Sequence, residues 1–138
     1  MVKFVNMILN GDKVSIGTNK ETIIKFLTNP QNFELLLPMD KVKDFKSDQE
    51  GCSFKVQGGF MISLLQNGFE NDKVFLKSVE KSPFPFKLTI FLSEKESTRT
   101  EGYIEFDGEV NAFLKMMVEK PLLSLFNYMS NKLDKHFS

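Results

Sequence analysis

The sequence predicts an α+β protein in which a curved antiparallel sheet wraps around a long C-terminal α-helix, with two short helices after the first strand. The first observation is the alternation of apolar and polar residues over residues 41–107, which is typical of strands with one buried face. The second is a change of period after Asn111, where apolar residues recur every three or four positions. The third is a pair of helix-start signals that directly follow the first extended segment.

The first extended segment covers residues 2–16 and is expected to break or bulge at Asn10-Gly11-Asp12, because glycine permits a positive φ. Thr18 and Glu21 match a capping box, so the first short helix is expected to begin there. Asn29-Pro30 ends that helix and starts the second, since Asn caps well and Pro is tolerated at the first helical position. The residues expected to face inward from the two helices are Ile23, Ile24, Leu27, Phe33, Leu36 and Leu37.

Short turns separate the strands that follow, which favours an antiparallel meander. Turns are expected near Gly51, at Gly58-Gly59, and in the segment that Asn67-Gly68 and Asn71-Asp72 bracket. Prolines in residues 82–85 exclude helix from the next loop. Val42 and Phe45 are expected in a short first strand of this series. The residues expected to lie on the apolar side of the later strands are Cys52, Phe54, Val56, Phe86, Leu88, Ile90, Leu92, Gly102, Ile104 and Phe106.

The chain closes with an amphipathic helix that needs an apolar surface to lie on, and the inward faces of the strands supply one. Pro121 lacks an N–H and disfavours helix at Lys120, so a kink or break is expected there. Residues 112–118 would then form a separate helical turn or two. The apolar stripe of the closing helix consists of Leu122, Phe126, Met129, Leu133 and Phe137.

The 138 residues fit one domain covering residues 1–138, and the balance of charges bears on its partners. The 18 Lys and Arg residues equal the 18 Asp and Glu residues, so the formal net charge is zero. Nucleic-acid-binding proteins usually carry a basic surplus that neutralises phosphates, so no nucleic-acid partner is predicted.

The compartment predicted from the sequence is the cytoplasm. Cys52 is the only cysteine, which excludes an intrachain disulfide and a cysteine-based metal site. The segment of residues 1–10 is apolar but too short and too interrupted to be a signal peptide. No stretch approaches the roughly 18 uninterrupted apolar residues of a membrane span.

The order of elements resembles the helix-grip fold of the START-like (SRPBCC) superfamily over essentially the whole chain. This superfamily includes birch-pollen-allergen-like proteins, lipid-transfer START domains and the polyketide cyclase/dehydrase group. The segment of residues 111–122, NAFLKMMVEKPL, is similar to one in small bacterial members in which Asn-Pro often precedes Phe, and Ala112 replaces that proline here. Residues 26–33 and 81–86 also resemble that subgroup. The resemblance implies a pocket between sheet and helix, but no particular reaction.

Few residues suggest catalysis. His136 is the single histidine and lies near a helix C-terminus, where the helix dipole favours a cation, so we interpret it as structural. Iron-containing oxygenase relatives need two histidines and a carboxylate, which one histidine cannot supply. Cys52 shares the apolar side of its strand and is expected to be a small buried hydrophobe. No catalytic residue, metal site or cofactor is therefore predicted.

The main functional hypothesis is a protein that binds or carries a small hydrophobic molecule, lipid or polyketide-like, between the sheet and the C-terminal helix. A fully packed interior is an open alternative for the same apolar residues, and the family resemblance favours the cavity. Two other functions remain: a cyclase/dehydrase-type enzyme, and an interaction module with an exposed patch at Leu65 and Phe91. The predicted wall residues of the cavity are Phe54, Val56, Ile62, Leu88, Ile90, Ile104, Phe106, Met117, Phe126 and Met129.

Overall fold

The computed structural model describes residues 4–56 and 59–138 and contains one antiparallel sheet of eight strands. The strand order is β1-β8-β7-β6-β5-β4-β3, and β2 pairs with the other half of β8. A helix of 25 residues follows the last strand, which confirms the predicted α+β class. The strands are β1 (Phe4–Asn10), β2 (Val14–Ile16), β3 (Val42–Ser47), β4 (Gly51–Val56), β5 (Phe60–Glu70), β6 (Lys73–Lys77), β7 (Phe86–Glu96) and β8 (Arg99–Asn111).

Two short helices follow β2, as the sequence predicted. Helix α1 spans Lys20–Leu27, and a 3₁₀ helix spans Pro30–Leu36. Asn29 caps the 3₁₀ helix, because its side-chain oxygen accepts a hydrogen bond from the Gln31 N–H. Asn29-Pro30 therefore separates the two helices and starts the second, as the sequence predicted.

The capping box predicted for α1 is wrong by one residue. Asn19, not Thr18, is the N-cap, and its Oδ1 atom accepts from the Thr22 backbone N at 2.8 Å. The Thr18 carbonyl instead accepts from the Thr100 hydroxyl, also at 2.8 Å. Asn is at least as good a cap as Thr, and this contact with β8 holds Thr18 just outside the helix.

The long helix α2, Ala112–His136, is continuous, so the break predicted at Pro121 is wrong. Pro121 removes the N–H that would bond the Met117 carbonyl. The Met117 side chain is 54% exposed, so that carbonyl lies on the side of the helix where water can satisfy it. Packing of the downstream apolar stripe then holds both halves in one helix.

The turns agree with the sequence in part. Asn71-Asp72 is the turn between β5 and β6, whereas Asn67-Gly68 lies inside β5. A register shift between Gln66 and Phe69, together with a φ of +89° at Gly68, makes this site a β-bulge. Gly59 is in a turn with a φ of +92°, while Gly58 and Val2 lie outside the described residues.

The core lies between the concave face of the sheet and α2. Leu122, Phe126, Met129 and Leu133 of α2 are all buried, which confirms the predicted stripe, and Phe137 packs against the core at its end. α2 approaches β1, β2, β8 and the 3₁₀ helix. The helix therefore lies nearer to one side of the sheet, and its other flank faces the β3–β4 edge.

Candidate functional site

A groove lies between the middle of α2 and the β3–β4 edge of the sheet. Its volume is about 90 Å³. We call it the edge groove. Its lining residues are Pro38, Lys41, Val42, Val56, Pro121, Ser124, Leu125 and Tyr128.

Local structure explains why these residues meet. Val42 and Val56 are direct partners across β3 and β4, and both side chains are buried on the inner face. Pro121, Leu125 and Tyr128 recur at intervals of three and four residues, so they lie on one side of α2. The edge groove therefore has walls from a regular helix and a regular strand pair.

The loop between the 3₁₀ helix and β3 closes one end of the edge groove. The Lys41 backbone N donates to the Pro38 carbonyl at 2.8 Å, which fixes this loop as a turn. The Lys41 side chain is exposed and is the charged group of the lining. Ser124 and Tyr128 carry hydroxyl groups, so the polar side chains among the lining residues supply one ammonium and two hydroxyls.

Nine of the ten predicted wall residues are buried, and Met117 is the exception. Its predicted inward position is wrong, because Met117 lies on the side of α2 away from the stripe that contacts the sheet. Val56 is the one predicted residue that lines the edge groove. The sequence analysis missed Pro38, Lys41, Leu125 and Tyr128, although the helical spacing of Pro121, Leu125 and Tyr128 could have indicated a second face.

Much of the interior behind the predicted wall residues is filled by aromatic rings. The Phe106 ring lies 5.1 Å from that of Phe86, 5.6 Å from that of Phe126 and 6.1 Å from that of Phe84, measured between centroids. These are ordinary packing distances for aromatic pairs. Phe106 and Phe126, two predicted wall residues, therefore pack on each other in the core. The edge groove is lined by other residues and lies nearer the surface.

Apolar side chains continue from the edge groove along the outer side of α2. Phe113, Met116 and Met117 are each more than half exposed, and Met39 beside Pro38 is half exposed. On a helical wheel Phe113 and Met117 lie within about 80° of Pro121 and Ser124, since each residue advances by about 100°. The surface around the edge groove is thus richer in apolar groups than an ordinary helix exterior.

Cys52 and His136 both occupy structural positions. Burial, with a smaller effect from the Asp48 carboxylate, raises the pKa of Cys52 from 9.0 to about 12. The thiol therefore stays protonated and is a poor nucleophile.

His136 is exposed at the end of α2, and its ring packs against that of Phe26 in a tilted arrangement, with 4.5 Å between centroids and 41° between ring planes.

The buried thiol of Cys52 is expected to react at least 100-fold more slowly with a disulfide reagent at pH 8 in the folded protein than in urea. The same pKa shift makes stability fall as pH rises from 9.0 towards 12, because the unfolded chain loses the proton first. Ellman's reagent and urea titrations at several pH values measure both effects. A Cys52→Ser variant controls for other titrating groups, and equal rates in folded and unfolded protein would contradict the assignment.

The patch proposed at Leu65 and Phe91 is half-buried. The Phe91 ring stacks on Tyr103 with 4.9 Å between centroids, and the Lys73 ammonium lies 5.7 Å from the Phe91 centroid. Side chains of neighbouring strands therefore cover part of Phe91, so neither residue of this patch is fully exposed.

Across residues 4–56 and 59–138, no three His, Cys, Asp or Glu side chains group closely enough to hold a metal ion. In the same part of the chain, no helix combines the length and the apolar character needed to cross a membrane.

Comparisons with known proteins reveal similarity at the level of structure. No sequence profile of a known protein family matches the chain, and no curated protein matches it. A truncated norcoclaurine synthase from Thalictrum flavum has a TM-score of 0.70 at 12% identity, covering 99% of this chain and 96% of that one. A START superfamily protein from Mycobacterium smegmatis has a TM-score of 0.66 at 12% identity, covering 94% and 96%. A Thermobifida fusca protein has a TM-score of 0.66 at 8% identity, covering 94% and 92%.

Proposed function

We propose that this chain, which has the helix-grip fold of START-like proteins, binds a small amphiphilic molecule through the edge groove. The observation that carries the proposal is the lining, which joins apolar side chains of α2 and of the β3–β4 pair to one cation and two hydroxyls. Sites for small molecules usually combine a mostly apolar wall with a few polar groups that orient the ligand. The fold itself supports a ligand-binding or cyclase-type role in general.

The polar groups of the edge groove favour a ligand with an anionic end. Lys41 supplies a positive charge at the mouth, while Ser124 and Tyr128 can donate hydrogen bonds from their hydroxyls. Val42, Val56 and other apolar residues of the lining suit an alkyl chain or a ring. A fatty acid, or a polyketide-like acid of similar size, satisfies both requirements.

Binding such a ligand requires the edge groove to widen. The groove has about 90 Å³, whereas sites for drug-sized molecules hold roughly 300–1,000 Å³. The N-terminal half of α2 is the element that can move, because Pro121 has removed one of its hydrogen bonds and Val118 is the one residue before Pro121 in α2 that is buried. The C-terminal half is held by Phe126, Met129 and Leu133 in the core.

A norcoclaurine synthase of the same fold has been solved in complex with dopamine and hydroxybenzaldehyde. This example supports the idea that the fold can hold small molecules. The buried polar side chains of the described residues are the hydroxyls of Thr100 and Ser130, and burial keeps the thiol of Cys52 protonated by raising its pKa to about 12. We therefore favour binding over the cyclase/dehydrase-type role, which needs an ionisable group in the interior.

A direct test is titration with cis-parinaric acid, a fluorescent fatty acid. The chain has no tryptophan, so Ser124→Trp both fills the edge groove and adds a reporter next to the ligand. We expect Ser124→Trp to weaken binding at least tenfold. Ser97→Trp, at an exposed serine in the β7–β8 turn, is the matched control and should bind within twofold of the unmodified chain.

A second variant tests the role of the charge. Lys41→Gln is expected to weaken binding of the acid about fivefold, the size of one exposed charge interaction, and to leave the methyl ester unaffected. If Lys41→Gln weakened binding of the acid and of the ester equally, Lys41 would not recognise an anionic group of the ligand. If the unmodified protein bound neither probe, the proposed function would be wrong.

A further inference from the structure

The strand β1 forms one edge of the sheet, and it lacks the features that usually protect an edge. Edge strands are normally protected by charges, proline or bulges. β1, Phe4–Asn10, has the sequence FVNMILN, with neither a charged residue nor a proline. The opposite edge, β3, carries Lys43 and Lys46, a register shift and a positive φ of 58° at Asp44. Within residues 4–56 and 59–138, the β3 edge thus carries such features and the β1 strand does not.

The hydrogen-bond pattern shows which backbone groups of β1 point outward. The Gly11 backbone N donates to the Ile104 carbonyl at 2.8 Å, and these residues continue the register of β1 with β8. Bonded and non-bonded pairs alternate in an antiparallel ladder. Odd-numbered residues of β1 therefore bond to β8, and the N–H and C=O groups of Phe4, Asn6 and Ile8 point towards the outer edge.

The exposed side chains belong to the same residues. Phe4 is 60% exposed and Ile8 is 53% exposed, and both lie on the outer face of the sheet. Asn6 lies between them on that face and is also exposed. The outer face of β1 therefore presents Phe4, Asn6 and Ile8 in turn. This pattern of apolar, polar and apolar side chains is symmetric about Asn6.

We propose that a second copy of this chain pairs antiparallel with β1 along this edge, giving a two-fold symmetric dimer with one continuous sheet. In the register centred on Asn6, Phe4 lies opposite Ile8 of the partner subunit, and Ile8 lies opposite the partner's Phe4. Apolar cross-strand pairs of this kind stabilise a sheet. Shifting the centre to Met7 would place Asn6 opposite Ile8, so the pattern of side chains selects the register.

The surrounding charges permit this partner. Along β8 the acidic residues Glu105, Asp107 and Glu109 lie opposite Asn10, Ile8 and Asn6 of β1. In the dimer the two acidic rows are separated by three strand spacings, or about 14 Å, which exceeds the Debye length of roughly 8 Å. A partner bringing its own acids to β1 would lie much closer to this row. A second copy, which brings an uncharged strand, avoids that repulsion.

Cross-linking tests the register directly. Asn6→Cys places two thiols opposite each other at the two-fold axis, with about 5.5 Å between Cα atoms, which suits a disulfide. Asn10→Cys is the matched control, because its two copies would be eight residues, or about 27 Å, apart. We expect mild oxidation to cross-link Asn6→Cys at least tenfold more than Asn10→Cys. The native Cys52 is buried and does not compete.

The affinity is tested by sedimentation velocity. Five paired residues per chain make a small interface, so we expect a reversible dimer with a Kd of about 10–100 μM. Ile8→Lys adds an edge-protecting charge and should lower the association constant at least tenfold, whereas Phe69→Lys, at another exposed phenylalanine, should not. Circular dichroism checks that each variant is folded. A monomer at about 500 μM, or equal cross-linking of the two cysteine variants, would overturn the proposal.

Discussion

Replacing Phe106 with alanine is expected to lower the free energy of unfolding by about 4 kcal/mol. The Phe106 side chain is 1% exposed and contacts the rings of Phe84, Phe86 and Phe126. Three elements meet at this ring, because Phe106 belongs to β8, Phe86 to β7 and Phe126 to α2. Its removal leaves a cavity that none of these regular elements can close without losing its own hydrogen bonds. Urea denaturation followed by circular dichroism measures the change.

Phe69→Ala is the matched control for the Phe106 variant. It deletes the same atoms from a phenylalanine in β5 that is 61% exposed. Its expected cost is below about 1 kcal/mol, since little buried surface is lost. Comparable losses of stability for the two variants would show that the contacts of Phe106 with Phe84, Phe86 and Phe126 do not hold α2 on the sheet.

Gly51→Ala is expected to lower the free energy of unfolding by about 3 kcal/mol. A Cβ atom on Gly51 would overlap the carbonyl oxygen of Leu64 on the neighbouring strand. Gly51 is the first residue of β4 and pairs with Leu65 of β5. The obstacle is backbone within a paired ladder, so no side-chain rotation can relieve it. Urea denaturation again provides the measurement.

Gly68→Ala distinguishes steric overlap from the general cost of replacing a glycine. Nothing lies within 4 Å of a Cβ built on Gly68, but its φ is +89°. Backbone strain alone should therefore cost about 1–2 kcal/mol. If Gly51→Ala lowered the free energy of unfolding no more than Gly68→Ala, β4 and β5 would have to be free to separate near Gly51.

The fold could be predicted from the sequence because its signals are local and repeated. Phe54, Leu88 and Ile104 each lie on the apolar parity of a strand, and all three are buried. The stripe of Leu122, Phe126 and Met129 follows helical spacing and contacts the core in the same way. In both cases burial of a whole face outweighs the preferences of single residues.

The errors arise where a local preference competes with a contact to a distant residue. Thr18 is an acceptable cap by itself, but its carbonyl accepts from Thr100, and Asn19 caps the helix instead. Pro121 is a good helix breaker by itself, yet the packing of Leu122 and Phe126 keeps α2 continuous. A sequence pattern does not contain these distant partners.

The edge groove was harder to predict than the fold. Lys41 and Tyr128 meet because α2 crosses the sheet at a particular position, and no local pattern encodes that position. Met117 was placed inside because it is apolar, but its position on the helix directs it to the exposed side. Apolar character predicts burial only when the rotation of the helix against the sheet is known.

The pairing of β1 and β2 with β8 has a consequence for how the protein is made. Phe4 and Asn111 are neighbours in the sheet although they are 107 positions apart in the sequence. At a synthesis rate of about 5–20 residues per second, the first strand waits roughly 5–20 s for its partner to emerge from the ribosome. During that interval the uncharged apolar segment at residues 4–10 is unpaired and open to chaperones or to aggregation.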